Sequence, residues 1–292
     1  MGISLRKLTG NFVAEVSGVD MAVGVCDADV STIVDLFNQY SVLIFHDQKI
    51  NDEQQIRFSR RFSELGDFGG LEKTVVQNSG GGTEIADVSN IDPDTKKIIP
   101  PTDKRMKFNS GNEMWHTDSS FKRIPATASL LSGREVPPID GDTEFCTQRE
   151  AYADLSEEMR SRIEPLISIH DFAYSRSLID QTLMTDVQKE QTPPVPHAVV
   201  RINPANRRKN FYAGAHASHI RGWPVEEGRA LLRELTAFVA QRQYTYTHKW
   251  RDNDLVIWDN RCCLHRGRSW DKARYPRAMY RTTVAGIGPT AE

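Results

Sequence analysis

The stretch DLVIWDNRCCLHRGR, Asp254 to Arg268, opens with an apolar run rich in β-branched and aromatic side chains. That composition reads as an interior strand. A short tight segment, RCCL, follows and delivers His265 to the strand's end, where a rigid element can position a ligand. A half-buried histidine satisfied by the backbone would leave the same trace, so His265 acquires meaning only from its partners.

Outward from this stretch, short β-like segments dominate everything beyond residue 112: ATASLLS, DTEFC, LISIHDF, HAVVRI, NFYAGA, QYTYTHKW and AMYRTTVAG. Turn signals such as NPANRRKN and RDND separate several of them. One long helix interrupts, VEEGRALLRELTAFVAQ, with Leu231, Leu235, Phe238 and Val239 on one face. The opening of the chain is instead α-β-α: an amphipathic helix near residues 27–40, the buried strand SVLIF, and a second helix with Asn51 as its N-cap and Gly66 as its stop. The pattern predicts a mainly β protein with flanking helices, a sandwich or barrel with helices packed outside. No internal repeat or low-complexity linker divides it, and a single domain over residues 1–292 is the simplest account. NIDPDTKK reads as a hairpin turn. The glycine cluster NSGGGTE reads either as a lid over a binding site or as an exposed connection.

The 292 residues carry a formal net charge of −2, with 39% hydrophobic and 26% charged side chains. Nothing there points to nucleic acid or an anionic membrane as partner. No apolar run is long enough for a transmembrane helix, and MGISLRKLTGNF lacks the apolar core of a secretory signal. Cys26, Cys146, Cys262 and Cys263 form no CxxC pair, so neither a zinc finger nor a disulfide framework is expected. A cytoplasmic protein with reduced thiols is the expectation.

Two further patterns carry chemistry. In MWHTDSSF, residues 114–121, His116 and Asp118 stand two apart, so an extended chain would point both to one face. They would then form two legs of a 2-His-1-carboxylate site, which occupies one face of an octahedral Fe(II) and leaves positions open. A third ligand would have to be another histidine at a strand end. Among His46, His170, His197, His216, His219, His248 and His265 the last stands out by its position, with a half-buried histidine satisfied by the backbone as the competing reading. A surface turn with a local His–Asp hydrogen bond is the competing reading. In YPRAMYRTTVAG, Arg277, Met279 and Arg281 share one strand face. Two inward arginines would be costly unless anions meet them, and an edge strand with both arginines in water is the alternative.

The combination of WHTDSSF, GDTEFC, WDNRCCLHRGR and PRAMYRTT resembles the Fe(II)/2-oxoglutarate-dependent dioxygenases of the taurine dioxygenase group. Within that group, VPPIDGDTEFCTQREAYADL, GAHASHIRGWPVEEGRALLREL and LVIWDNRCCLHRGRSWD are most similar to the 2,4-dichlorophenoxyacetate dioxygenase branch, over nearly the whole chain. The resemblance implies a double-stranded β-helix, a cupin-like jelly roll, with His116, Asp118 and His265 ligating Fe(II). It implies that Arg277 and Thr143 hold the distal carboxylate of 2-oxoglutarate, and that Arg281 meets the anionic group of the primary substrate. Asn112 and Lys73 fall at positions where that branch places polar or cationic substrate contacts. His216 is shared with the branch and is grouped with these, although neither it nor His219 receives a defined role. The implied reaction is hydroxylation beside the ether oxygen of an aryloxy acid using O2, in a homo-oligomeric enzyme. The alternatives are a sulfonate such as taurine, an alkyl sulfate, or a cupin-like metal-binding protein without oxygen chemistry. A GxSxG elbow is missing, which argues against ester hydrolysis.

Overall fold

The computed structural model describes residues 2–73 and 84–291. Among them, a seven-stranded sheet runs in the order Ser4–Thr9, Val13–Ser17, Val42–Phe45, Asp254–Asp259, Ala126–Glu135, Ala278–Ala285 and Ile85–Asp87. The apolar runs VLIF and LVIW are hydrophobic at every position because both faces of this sheet are covered. Leu43, Phe45, Leu255 and Ile257 face helices Asp27–Tyr40 and Asp52–Leu65, meeting Ile33, Phe37, Phe58 and Phe62. Val42, Ile44, Val256 and Trp258 face the other way, onto Phe145, Cys263 and Met279. The second helix starts where the sequence predicts: the Asn51 side chain accepts from the Gln54 N–H at 2.9 Å, and the Gln54 side chain accepts from the Asn51 N–H at 2.8 Å.

Opposite that second face lies a three-stranded sheet, Thr245–His248, Thr143–Thr147 and Cys263–Gly267. Two sheets closed over a common core form the double-stranded β-helix. A further three-stranded sheet, Ala217–Ile220, Ile167–His170 and Val195–Ala198, flanks it and carries helix Val225–Val239. Leu231, Leu232, Leu235 and Val239 bury that helix against Ile220, Phe211 and Val199. Gly228 makes the approach possible, since a Cβ there would sit 2.6 Å from the Ile220 nitrogen.

The sequence reading needs correction in several places. MWHTDSSF is not a strand: His116 makes an isolated bridge to His265, and the chain then turns through Ser119 at φ 55°. HAVVRI is two strands broken at Val199, and NFYAGA keeps strand geometry only over Lys209–Phe211. The N-terminal hairpin Ser4–Thr9/Val13–Ser17 and the short helices between 148 and 191 went unread. Phe238, read with the buried face of the long helix, is only half-buried. Strand Ala278–Ala285 pairs with Ala126–Glu135 on one side and Ile85–Asp87 on the other, which excludes the alternative of an edge strand. It begins after Arg277, however, and carries a bulge at Ala278/Met279, so Arg277 and Arg281 do not share a face by simple alternation. NIDPDTKK does turn back on itself, with Ile91 bridged to Ile98. The glycines of NSGGGTE lie outside the described residues.

Candidate active site

The core of the site is a junction of two chain segments. The His116 N–H donates to the His265 carbonyl at 3.0 Å, and the His265 N–H returns to the His116 carbonyl at 2.8 Å. Their rings lie 4.2 Å apart between centroids. Asp118, two residues on at the start of a turn, reaches the same point, its Oδ2 lying 3.6 Å from His265 Nε2. One ligand atom from each of His116, Asp118 and His265 falls within 4.8 Å of the others, and all three residues are buried.

The donor set suits a divalent first-row metal. His116 Nδ1 sits 2.7 Å from the Met114 carbonyl, so it carries the proton and leaves Nε2 as the lone-pair donor. His265 Nδ1 is buried without a hydrogen-bond partner among the described residues. Burial holds both imidazoles below the usual histidine range, keeping them neutral as ligands must be. Burial alone would raise Asp118, yet Arg281, His265, His116 and the Ser129 hydroxyl together carry it below the ordinary carboxylate range. A buried anion beside two neutral imidazoles is the charge arrangement that welcomes a cation.

Asn260, which sequence reasoning missed, organises this centre. Its Oδ1 accepts from the Asp118 N–H at 3.1 Å and from Trp258 Nε1 at 3.0 Å. Its Nδ2 donates to Ser129 Oγ at 2.8 Å, which in turn donates to Asp118 Oδ2 at 2.7 Å. Thr117 closes the ring by donating to the Asn260 carbonyl at 2.8 Å. The available signal was an asparagine ending the apolar strand whose turn leads to His265.

Two compartments open from the centre, and Asn112, His116 and Arg281 line both. One runs past Thr143, Leu131, Trp258 and His265 to Arg277. Arg277 is buried, its Nε lacks a partner among the described residues, and Trp270 stacks over its guanidinium at 5.1 Å. Burial pushes it down to about 10. Thr143 Oγ1 accepts from Trp250 Nε1 at 2.9 Å, which aims the hydroxyl. The other compartment is walled by Phe108, Phe121 and Phe172. His216 belongs to that wall, with Nδ1 2.9 Å from Ser175 Oγ and its ring 6.1 Å from that of His116. Lys73 stands exposed at its rim. His219 lines neither compartment and hydrogen-bonds Ser218 Oγ at 2.9 Å.

Arg281 does point inward, as read from the sequence, but its partner in this structure is Asp118 itself, through Nη1 and Oδ1. Lys122, also missed, pairs with Glu72 at 2.6 Å, and the same Glu72 oxygen accepts from Ser119 Oγ at 2.6 Å. This ties the chain just before Lys73 to the turn that carries Asp118.

A jelly roll with a His-Asp-His cluster at the meeting of its sheets defines a mononuclear metal site of the facial-triad class. Residues 4–283 match the family described as taurine catabolism dioxygenase TauD, TfdA family, and the chain belongs to that family. It is 40% identical over 272 residues to an alpha-ketoglutarate-dependent 2,4-dichlorophenoxyacetate dioxygenase of Cupriavidus pinatubonensis, covering 93% of this chain and 94% of that one. It is 35% identical to an (S)-phenoxypropionate/alpha-ketoglutarate-dioxygenase of Sphingobium herbicidovorans, covering 97% and 94%. Among solved structures, AAD-2 in complex with Mn(II) and N-oxalylglycine superposes with a TM-score of 0.89 at 40% identity, over the full length of both chains.

Proposed function

We propose that this protein is an Fe(II)- and 2-oxoglutarate-dependent dioxygenase. It hydroxylates the carbon next to the ether oxygen of aryloxyalkanoic acids of the 2,4-dichlorophenoxyacetate type. The hydroxylated product is a hemiacetal, which collapses to a phenol and glyoxylate; succinate and carbon dioxide are the co-products. The observation that carries the reading is the buried convergence of His116, Asp118 and His265 at the point where an arginine-ended compartment meets an aromatic-walled one.

Iron held by those three residues supplies the oxygen activation that couples decarboxylation of 2-oxoglutarate to oxidation of a C–H bond. The chain's own work is placement and charge. Arg277 and Thr143 hold the distal carboxylate of 2-oxoglutarate. A buried guanidinium with unspent donors binds a carboxylate in two parallel hydrogen bonds, and the Thr143 hydroxyl adds a third. Phe108, Phe121 and Phe172 take the aryl ring, while Arg281, with Lys73, Asn112 and His216 around the same compartment, faces the acid end. The aromatic walls exclude water from the reacting carbon. Cleavage of the ether needs no nucleophile, because the hydroxylated carbon expels the phenol by itself.

In this reading residues 1–292 act as a single domain in a cytoplasmic homo-oligomer, with small molecules and O2 rather than nucleic acid or membrane as partners. No helix among the described residues is long and apolar enough to cross a membrane. Succinate formation, measured with phenoxyacetates, taurine and alkyl sulfates in parallel, tests the proposal. Turnover is expected with the aryloxy acids, and inactivity on all of them would sink the assignment.

A further inference from the structure

The aromatic-walled compartment contains a charge that the proposed function leaves unused. Arg176, from helix Phe172–Ser177, is only 6% exposed. Its Nε has no hydrogen-bond partner and its guanidinium forms no ion pair among the described residues. The other cations lining this compartment differ. Lys122 is paired with Glu72 at 2.6 Å, Arg281 is paired with Asp118, and Lys73 stands in solvent. A buried cation without a counter-ion is costly to keep.

We propose that Arg176, standing with Arg281 at the acid end of the compartment, holds the carboxylate of the aryloxy acid and thereby determines that the substrate is an acid. This rests on the dioxygenase reading above. The stacking geometry favours it: Phe108 and Phe172 lie 4.8 and 4.6 Å from the guanidinium carbon. The two rings are themselves 5.9 Å apart and edge-on to each other, so they pack one side of the guanidinium and hold it by cation–π contact while leaving its remaining N–H groups to an acceptor. The backbone holds it too, since a Cβ on Gly111 would fall 1.7 Å from Arg176 Nη1. Only glycine lets the side chain pass there. Its position also suits the chemistry. The carbon to be hydroxylated is bonded directly to the carboxylate, so the anchor must stand close to the metal ligands. Arg176 lines the same compartment as His116 and Asp118, and the Phe172 ring against it lies 5.6 Å from the His216 ring, itself 6.1 Å from that of His116. With burial pushing it down to about 10, Arg176 is still a cation at neutral pH. Phe121, whose ring is 4.3 Å from that of Phe172, continues the wall on which an aryl ring would lie.

The test compares 2,4-dichlorophenoxyacetate with its neutral primary amide in wild-type, Arg176→Gln and Arg176→Lys enzymes. Equilibrium binding under nitrogen is read by calorimetry, and KM is read from succinate release. Arg176→Gln is expected to weaken the acid about ten- to hundredfold, the loss typical of a charged hydrogen-bond partner. The amide should lose little, the 2-oxoglutarate KM and bound Mn(II) should stay at wild-type values, and Arg176→Lys should recover part of the loss. Equal losses for acid and amide would show a packing role and overturn the proposal, as would an unchanged affinity for the acid. If Arg176→Gln does not fold, Gly111→Ala decides the matter. It keeps the charge but displaces it, and it should show the same preference for losing the acid; an unaltered acid affinity overturns the proposal. A wild-type enzyme inactive on every aryloxy acid would be a failure of the dioxygenase reading instead, which these ratios keep separate.

Discussion

His116 and His265 hold each other by paired backbone hydrogen bonds of 3.0 and 2.8 Å, so two expected metal ligands share one rigid joint. Asp118 is less directly fixed: it depends on a turn, and that turn depends on Asn260. The three ligands therefore differ in what maintains them, and variants should separate these dependencies.

Replacing a ligand should abolish metal retention without unfolding the protein, because the histidine joint is made by backbone atoms. His116→Ala and Asp118→Asn are each expected to lose at least about 100-fold in turnover. Their Mn(II) binding by equilibrium dialysis should fall in parallel, while the thermal transition stays cooperative. Retained metal binding in Asp118→Asn would contradict the triad.

Asn260→Ala removes the acceptor of the Asp118 N–H and leaves the Trp258 and Ser129 groups short of partners. Loss of such outer support costs about 10- to 100-fold in metal affinity. The stranded buried donors add about 1–3 kcal/mol of destabilisation. Urea unfolding and metal titration together check this; a stable variant with intact metal affinity would show Asn260 to be dispensable.

Arg277 and Arg281 should prove unequal. Arg277→Ala leaves the 2-oxoglutarate compartment without its terminal cation, so the KM for 2-oxoglutarate should rise about 10- to 100-fold. Arg281→Ala acts at Asp118 and on the acid substrate instead, with a much smaller change in that KM. Identical behaviour of the two variants would refute the division of labour.

His197 links pH to the turn at the site. Its Nε2 donates to the Ser120 carbonyl at 2.7 Å, and its Nδ1 lies 2.5 Å from Thr290 Oγ1 as acceptor. Burial, with Arg201 nearby, pushes it down to about 4. A histidine depressed in the folded state is neutral there while its unfolded counterpart takes up a proton below about 6.5. Its stabilising contribution is therefore complete above that pH and declines as pH falls toward 4. The span corresponds to at most about 3 kcal/mol. Melting curves between pH 7 and 4 should fall less steeply for His197→Asn than for the wild type, and parallel slopes would rule the linkage out.

The sequence by itself determined several local features of this protein. Alternation placed Met279 and Arg281 on one strand face, whereas Arg277 lies just before the strand, ahead of a bulge at Ala278/Met279, and still reaches the same compartment. The apolar LVIW run marked an interior strand, and capping at Asn51 fixed a helix start. These are local rules, legible over a few residues. His116 and Asp118 do come together, but in a segment that forms only an isolated bridge at His116 before the chain turns at Ser119, rather than in a strand. His197 and Arg176 could not be recognised from their neighbours in sequence, and Asn260 offered only its place at the end of an apolar strand. Each matters through partners far away along the chain: Asp118 for Asn260, the Ser120 carbonyl for His197, Gly111 and Phe108 for Arg176. Only the closure of the two sheets brings such groups together. Burial then makes a hydrogen bond or a missing counter-ion count far more than it would in water.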